Sequence, residues 1–464
     1  MPYLTHLLAD HALSINVDTL PGHVRETTLC CILDLLGAAI AGTGSSAPMA
    51  ACATSDLLYG SGRAPAWFTG QTSCLLSALL HNALLASALD LDDGNRAARG
   101  HPGASVIPTV LTLAALMPEV SGPDILSAVI AGYDVGVRIA AAQQVQAIPT
   151  RQTGRWAAFA SAAAAGRLLS LQPGHLAEAL AIAGVLAPNQ EANGSSGYSR
   201  VTGNLVKEGI AFSAQTGLQA ALLASAGFTG PADLLDHDRY YQRDRILAAL
   251  GSRFEITHTY FKPYACCRYI HPALDAFLGL RGTHGFSSCE IDRIEVHAFH
   301  FALRLANSTD PANLVALQYS LPYCLAVLAL CDEAALAPVS PDLLHRVDIT
   351  DLARRVELHD DAEAEARFPD QTCAKLVVFL RSGKRLATPM TGARGDPANP
   401  MDRQAIEAKF RSVAASRFPA TTLDKLVRAV DLLGEGKGLP LLSLLQDLKS
   451  EREAPACQHH RDGA

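Results

Sequence analysis

The stretch Asp90-Leu91-Asp92-Asp93-Gly94-Asn95-Arg96-Ala97-Ala98-Arg99-Gly100-His101-Pro102-Gly103 holds three carboxylates, two arginines and one histidine. It lies between two apolar runs, roughly 75–88 and 105–116. A solvated loop needs charge, but it does not need a histidine set between a glycine and a Pro-Gly pair. Gly100 permits close backbone approach and Pro102 has a fixed φ, so His101 is expected to be held in one place. Imidazole near pH 7 both takes and gives a proton. Planar guanidinium forks bind carboxylates bidentately. The loop therefore reads as an acid–base site with its own anion-attracting arginines, Arg96 and Arg99. The alternative is a charged, helix-breaking connection that caps the next helix.

Further candidates lie far downstream. Lys207 stands in Val206-Lys207-Glu208-Gly209, after a polar, glycine-bearing loop at 190–204. It is either a snorkelling surface lysine or a buried amine that meets an anion. Lys262, Arg268 and His271 share the segment Lys262-Pro263-Tyr264-Ala265-Cys266-Cys267-Arg268-Tyr269-Ile270-His271-Pro272. Arg155 and Arg200 are carboxylate-binding candidates, and Tyr319 and Tyr323 flank an apolar turn. Cys266 and Cys267 read as small buried apolar residues rather than nucleophiles. The three aspartates look like a metal site, but the loop lacks histidines at ligand spacing. Neither metal nor cofactor is expected.

These residues need a scaffold, and the chain can supply one. It has 464 residues, 49% apolar and 18% charged, which suits a folded protein of two domains. A net charge of −7 removes any general case for nucleic acid. The eleven cysteines follow no framework spacing and fit a reducing cytoplasm. The N-terminal residues lack the pattern of a signal peptide, and no membrane span is expected.

Residues 4–14, 22–42, 46–56, 72–90, 104–117, 122–145, 154–170 and 174–187 read as helices, as does the run to about 226. The stretch 157–165 is nearly all small residues, a helix that others can press against. No convincing strand precedes residue 250. After that, 254–262, 291–299 and the hairpin 375–381/385–388 read as strands, among helices at 273–280, 322–331 and 341–353. Helices return at 401–415 and 420–434, and 451–464 reads as a frayed tail. Gly395-Asp396-Pro397-Ala398-Asn399-Pro400 is a helix-hostile linker. The expected architecture is thus mainly α. A large all-α domain (1–254 plus 401–464) carries an inserted, smaller α+β domain (255–400), with the ligand cleft between them.

The chain resembles the MmgE/PrpD family. The matching stretches are Leu33-Asp34-Leu35-Leu36-Gly37, the Asp90–Gly103 loop, 154–171, Val206-Lys207-Glu208-Gly209, 262–275, Ser320-Leu321-Pro322-Tyr323 and 395–400. That family includes 2-methylcitrate dehydratases, cis-aconitate decarboxylases and iminodisuccinate epimerases. The resemblance implies the same two-part architecture, with the smaller part acting as a lid. It implies metal-free carbon-acid chemistry on a small di- or tricarboxylate, and a homodimer. By the same resemblance His101 and His271 are the acid–base pair on opposite sides of a cleft. Lys207 stabilises the enolate, and Asp90 or Asp93 orients His101. Arg96, Arg155, Lys262, Arg268 and Tyr319 are the candidate substrate contacts.

The chain also departs from the family pattern. Gly94, Asn95 and Arg96 stand where many relatives carry threonine and histidine, and Arg151 stands where histidine is usual. Guanidinium in place of hydroxyl and imidazole points to a substrate with a differently placed carboxylate, or one lacking a leaving hydroxyl. A lyase is the resulting reading. An epimerase on the same cleft is the alternative, and a noncatalytic binding protein the second.

Overall fold

The computed structural model describes residues 2–144, 146–148, 152–188 and 203–450. The expected sites Arg151 and Arg200, most of the loop at 190–204 and the tail at 451–464 lie outside them. The fold is mainly α. At its centre is the small-residue helix Thr153–Leu168, whose side chains from Trp156 to Ala165 are buried. Alanine gives this helix a thin cylinder, so neighbouring axes come close. Ala160 faces Gly136 on the helix Gly122–Ala141, and Ala158 and Ser161 face Gly217 on the helix Ile210–Ser225. A Cβ at either glycine would collide with those neighbours, so glycine sets the separation.

Many helix bounds follow the sequence pattern, and Leu4–Ser14 and Ala420–Gly434 coincide with it. But 341–353 forms a 3₁₀ turn, Pro341–Leu343, and a separate helix, Val347–Ala353, and Leu439–Asp447 is a helix the pattern does not give. The strand expectations need correction. A short antiparallel ribbon, Ala64–Ala66 with Gln71–Ser73, precedes residue 250. The segment 254–262 is no strand of that length: a single 3₁₀ turn, Glu255–His258, leads into Thr259–Tyr260. Those two residues pair antiparallel with Gly94–Asn95 in the charged loop. Ile291–Ala298 is paired on one side with Cys373–Leu380 (antiparallel) and on the other with Val356–Asp360 (parallel). Arg385–Ala387 and Thr391–Gly392 continue this five-stranded sheet beyond Cys373–Leu380. The edge strand Val356–Asp360 is polar and short, which hid it from period-2 reading.

Buried apolar residues form two clusters. One draws on residues 4–261 and 406–445. The other draws on 264–386, joined by Ala38, Ala41, Leu89, Leu91 and Val413. Leu89 and Leu91 alternate with Asp90 and Asp92, so the loop plugs its apolar side chains into one core while its charges gather beside it. No single helix among the described residues is long and apolar enough to cross a membrane.

Candidate active site

The helix Leu75–Ser87 runs out into the charged loop, with Asp90 in the left-handed region at φ +54°. Non-glycine residues occupy that region at some cost, and aspartate tolerates it better than most. Beyond it, the Asn95 N–H donates to the Gly100 carbonyl (2.9 Å), and Asn95 Oδ1 accepts from the amides of Ala97 and Ala98. The loop tip is thereby a closed hairpin. A Cβ on Gly94 would collide with the Tyr260 hydroxyl, so glycine here admits a buried phenol where a larger side chain would stand.

His101 is buried beneath this hairpin. Its backbone N–H donates to Thr153 Oγ1 (3.2 Å). Its ring Nδ1 lies 3.1 Å from both the Asp93 carbonyl and Asp92 Oδ2, and the carbonyl is the aligned acceptor. A carbonyl only accepts, so in the neutral ring Nδ1 carries the proton and Nε2 the free lone pair. Nε2 faces Asp90 Oδ1 at 3.6 Å, beyond hydrogen-bond reach. Burial and the Lys262 charge oppose protonation of His101, but Asp92 and Asp90 outweigh them and raise its pKa above the ordinary imidazole value. Burial likewise opposes the charge on Asp92, yet His101 and Lys262 hold its carboxyl below the usual range.

Lys262 is completely buried, and its ammonium donates to the Asp90 carbonyl (3.0 Å) and pairs with Asp90 Oδ1 (3.1 Å). Burial would drive off its proton; Asp90 and Asp92 more than compensate and raise its pKa. Lys207, at φ +50°, donates to the Ser87 carbonyl (2.7 Å) and to Gln318 Oε1 (3.3 Å). These neutral acceptors include the carbonyl end of a helix, which attracts a cation. They do not offset burial as a carboxylate would, so the Lys207 pKa is lowered despite Asp90 and Asp92 nearby. An ammonium has three donors, and both lysines have one left after these bonds. Tyr319 is buried with Asp90, Glu208 and Asp92 among its charged neighbours, which together with burial raise its pKa.

The other sequence candidates fall elsewhere. The Asp93 carboxylate turns away from His101: Oδ1 accepts the Gly103 N–H (3.0 Å) and Oδ2 the Tyr133 hydroxyl (2.5 Å). It is the Asp93 backbone, not its side chain, that orients His101. Burial pushes the Asp93 carboxyl up to about 7. His271 has both ring nitrogens engaged: Arg268 donates to Nδ1 (3.3 Å), and Nε2–H donates to the Cys266 carbonyl (3.2 Å). Burial first, then Arg268 and Lys262, force its pKa well below the ordinary value. The sequence expectation makes this ring the second proton carrier; in this structure both of its nitrogens are occupied by these contacts. Arg268 and Arg96 both pair with Asp396, and Arg268 lies over the Tyr260 ring at 4.8 Å. Arg96 and Arg99 line a separate cavity of about 420 Å³ bordered by Arg253, His258 and Asp396. Arg155, in the first turn of its helix, has Tyr241 as a charge neighbour. Burial lifts the Cys267 thiol to about 12 and Cys266 well above its usual range, so neither is a thiolate.

Donor atoms of Asp90, Asp92 and His101 lie within 4.8 Å of one another, as metal ligands would. The Lys262 ammonium already meets the carboxylate there, and the His101 ring is fixed by a carbonyl. These features fit an acid–base cluster with a built-in cation better than an ion cage.

Sequence reasoning passed over several residues that build the cluster. Asp92 is not among the expected orienters of His101, since three aspartates in four positions give no way to choose. Gln318 stands as a lone amide in the apolar run 314–331, which is a usable signal. Lys409 shares one helix face with Ile406, Phe410 and Val413, all buried; it pairs with Asp34 (2.6 Å) and donates to the Leu91 carbonyl (2.9 Å). Glu208 accepts from the Thr153 N–H (3.0 Å) and hydroxyl (2.7 Å), tying the Lys207 turn to the residue that holds the His101 backbone.

Residues 6–243 match the sequence profile of the MmgE/PrpD N-terminal domain, and 264–432 that of the MmgE/PrpD C-terminal domain. A cis-aconitate decarboxylase of Aspergillus terreus is 25% identical over 95% of this chain and 96% of its own. A human cis-aconitate decarboxylase is 24% identical over 98% of each chain. A cis-aconitate decarboxylase-like protein, oryM, of Aspergillus oryzae is 23% identical over 76% of this chain and 78% of its own.

Proposed function

Since the chain belongs to the MmgE/PrpD family, we propose that it is a metal-independent lyase acting on a small di- or tricarboxylate, with decarboxylation of a cis-aconitate-like acid as its reaction. One observation carries this reading: an imidazole with its Nδ1 proton fixed by the Asp93 carbonyl shares its surroundings with two ammonium groups, Lys262 fully buried and Lys207 half-buried, each with a donor to spare. A carboxylate next to the reacting carbon docks on Lys207 and Lys262. Loss of CO₂ leaves an electron pair that spreads into that carboxylate, and the lysines stabilise the developing enolate charge. Protonated His101 delivers its Nε2 proton to carbon and is recharged from water. Dehydration would use the same parts in a different order, with His101 taking the α-proton first.

Residues 255–400 serve in this reading as a lid-like α+β insertion into the all-α part (1–254 and 401–464). It supplies Lys262, Gln318 and Tyr319 to a site whose His101 and Lys207 come from the other part. Epimerisation requires a second proton carrier on the opposite face, and the ring of His271 offers no free nitrogen for it. The acting form is taken to be a homodimer in the cytoplasm.

Proton NMR in D₂O tests the reading with cis-aconitate, 2-methylcitrate, citrate and substituted succinates. The expected result is loss of cis-aconitate with release of CO₂ and deuterium at one product carbon, abolished in His101→Ala and in Lys262→Met. New vinyl signals from 2-methylcitrate would shift the assignment to dehydration. Failure of all these acids to react or exchange would refute the lyase reading.

A further inference from the structure

The outer face of the sheet carries a cluster that this chemistry does not use. Strands Ile291–Ala298 and Val356–Asp360 run parallel, with Glu295 opposite Glu357 and His297 opposite His359. Side chains at i and i+2 share a face of a strand. Each strand therefore sends a Glu-x-His pair to the same side, and the two pairs lie abreast. The imidazole rings stack with centroids 5.0 Å apart. His297 Nε2 is 3.6 Å from Glu295 Oε2, and His359 Nε2 is 3.7 Å from Glu357 Oε2. Donor atoms of Glu295, Glu357 and His359 all fall within 4.8 Å of one another.

A tetrahedral ion with bonds of about 2.0–2.2 Å needs donors about 3.3–3.6 Å apart. Within each strand the nitrogen–oxygen separation, 3.6 Å and 3.7 Å, matches this spacing; across the strands Glu295, Glu357 and His359 gather within 4.8 Å, and His297 reaches them through Glu295. Two charged neighbours share the face. Arg293 pairs with Glu295 through Oε1, leaving Oε2 to the histidine side, and its guanidinium is seated on the Phe379 ring at 3.6 Å. It also lies 3.7 Å from Glu357 Oε2, which it must share. Lys375, opposite His297 on the neighbouring strand, turns to Asp361 (3.2 Å).

We propose that His297, His359, Glu295 and Glu357 form a binding site for one divalent transition ion of the zinc class. Two imidazoles and two carboxylates suit zinc better than magnesium or calcium, which take oxygen ligands. Val356–Asp360 is the edge strand, held by a single neighbour, so the ion would staple the sheet edge.

The test is calorimetric titration of metal-stripped full-length protein with Zn²⁺, beside His297→Ala/His359→Ala and His101→Ala variants. The sheet variant is expected to bind one equivalent fewer than the unaltered protein and to lose a Zn²⁺-dependent rise in melting temperature. The His101 variant should keep that equivalent, and Mg²⁺ should not replace Zn²⁺. Equal stoichiometry in the sheet variant and the unaltered protein would overturn the proposal. So would loss of the equivalent in the His101 variant alone. The side chains of His297 and His359 are 24% and 44% exposed and belong to neither apolar cluster, so the variant is expected to fold.

Discussion

His101 shows how one ring is set by groups of different kinds. A backbone carbonyl fixes its tautomer, and carboxylates fix its charge. Because Asp92 raises the pKa of His101, Asp92→Asn should lower it. If protonated His101 is the acid in the limiting step, the alkaline limb of the kcat/KM profile moves to lower pH in that variant. A pH–rate series on both proteins checks this, and an unmoved limb would remove His101 from the acid role. Asp93 makes a separate statement about stability. Its carboxyl titrates at about 7 in the folded protein, against about 3.9 in an unfolded chain. The folded state therefore keeps a proton that the unfolded state has lost. This group's contribution is greatest below about pH 4, declines as pH rises, and is gone above about 7. Asp93→Asn removes the decline. Relative to the unaltered protein, it should gain up to about 4 kcal/mol between pH 4 and 8, read from urea unfolding at both pH values.

Elements were more legible in the sequence than the contacts between them. Helical periodicity marked most of the longer helices to within a few residues but passed over Leu439–Asp447 and short ones such as Ala362–Arg367, and the alanine run at 157–165 announced a helix under close pressure from its neighbours. Sequence also offered His101, set among charges between two apolar runs, while Lys207 entered through the family resemblance and Lys262 stood open between a substrate clamp and a surface charge. It could not say which carboxylate faces the histidine, since Asp92 and Asp93 differ only in which way the backbone turns. Nor could it foresee that both nitrogens of His271 would be occupied by Arg268 and Cys266. The close packing has a direct test. Ala160→Leu forces a larger side chain against Gly136. Overpacking of this kind costs about 1–3 kcal/mol, so the urea midpoint should fall with the slope unchanged. Turnover per folded molecule should remain near that of the unaltered protein.

Across the whole molecule, the buried pair Asp34–Lys409 fastens the helix Arg403–Ala414 to the second helix of the chain and to the Leu91 carbonyl in the loop. Removing one partner of a buried pair costs about 3–5 kcal/mol, because the other charge is left in a dry interior. Lys409→Met should show that loss in thermal unfolding, together with a fall in kcat from the loosened loop. Lys409→Met with Asp34→Asn should recover much of the stability but not the turnover. Equal stability losses in the single and double variants would mean that packing, not charge, dominates.

The links that hold the charged loop span very different lengths of chain: 120 residues from Lys207 to Ser87, 172 from Lys262 to Asp90, 300 from Arg96 to Asp396 and 375 from Lys409 to Asp34. Contacts of such high order form slowly, since most of the polymer must be gathered before they close. The helices, by contrast, are local. A refolding chain should recover its circular dichroism well before its activity, and a nascent chain lacking its last quarter would have most of its helices and an unassembled loop. Turnover would then report completion of the entire fold.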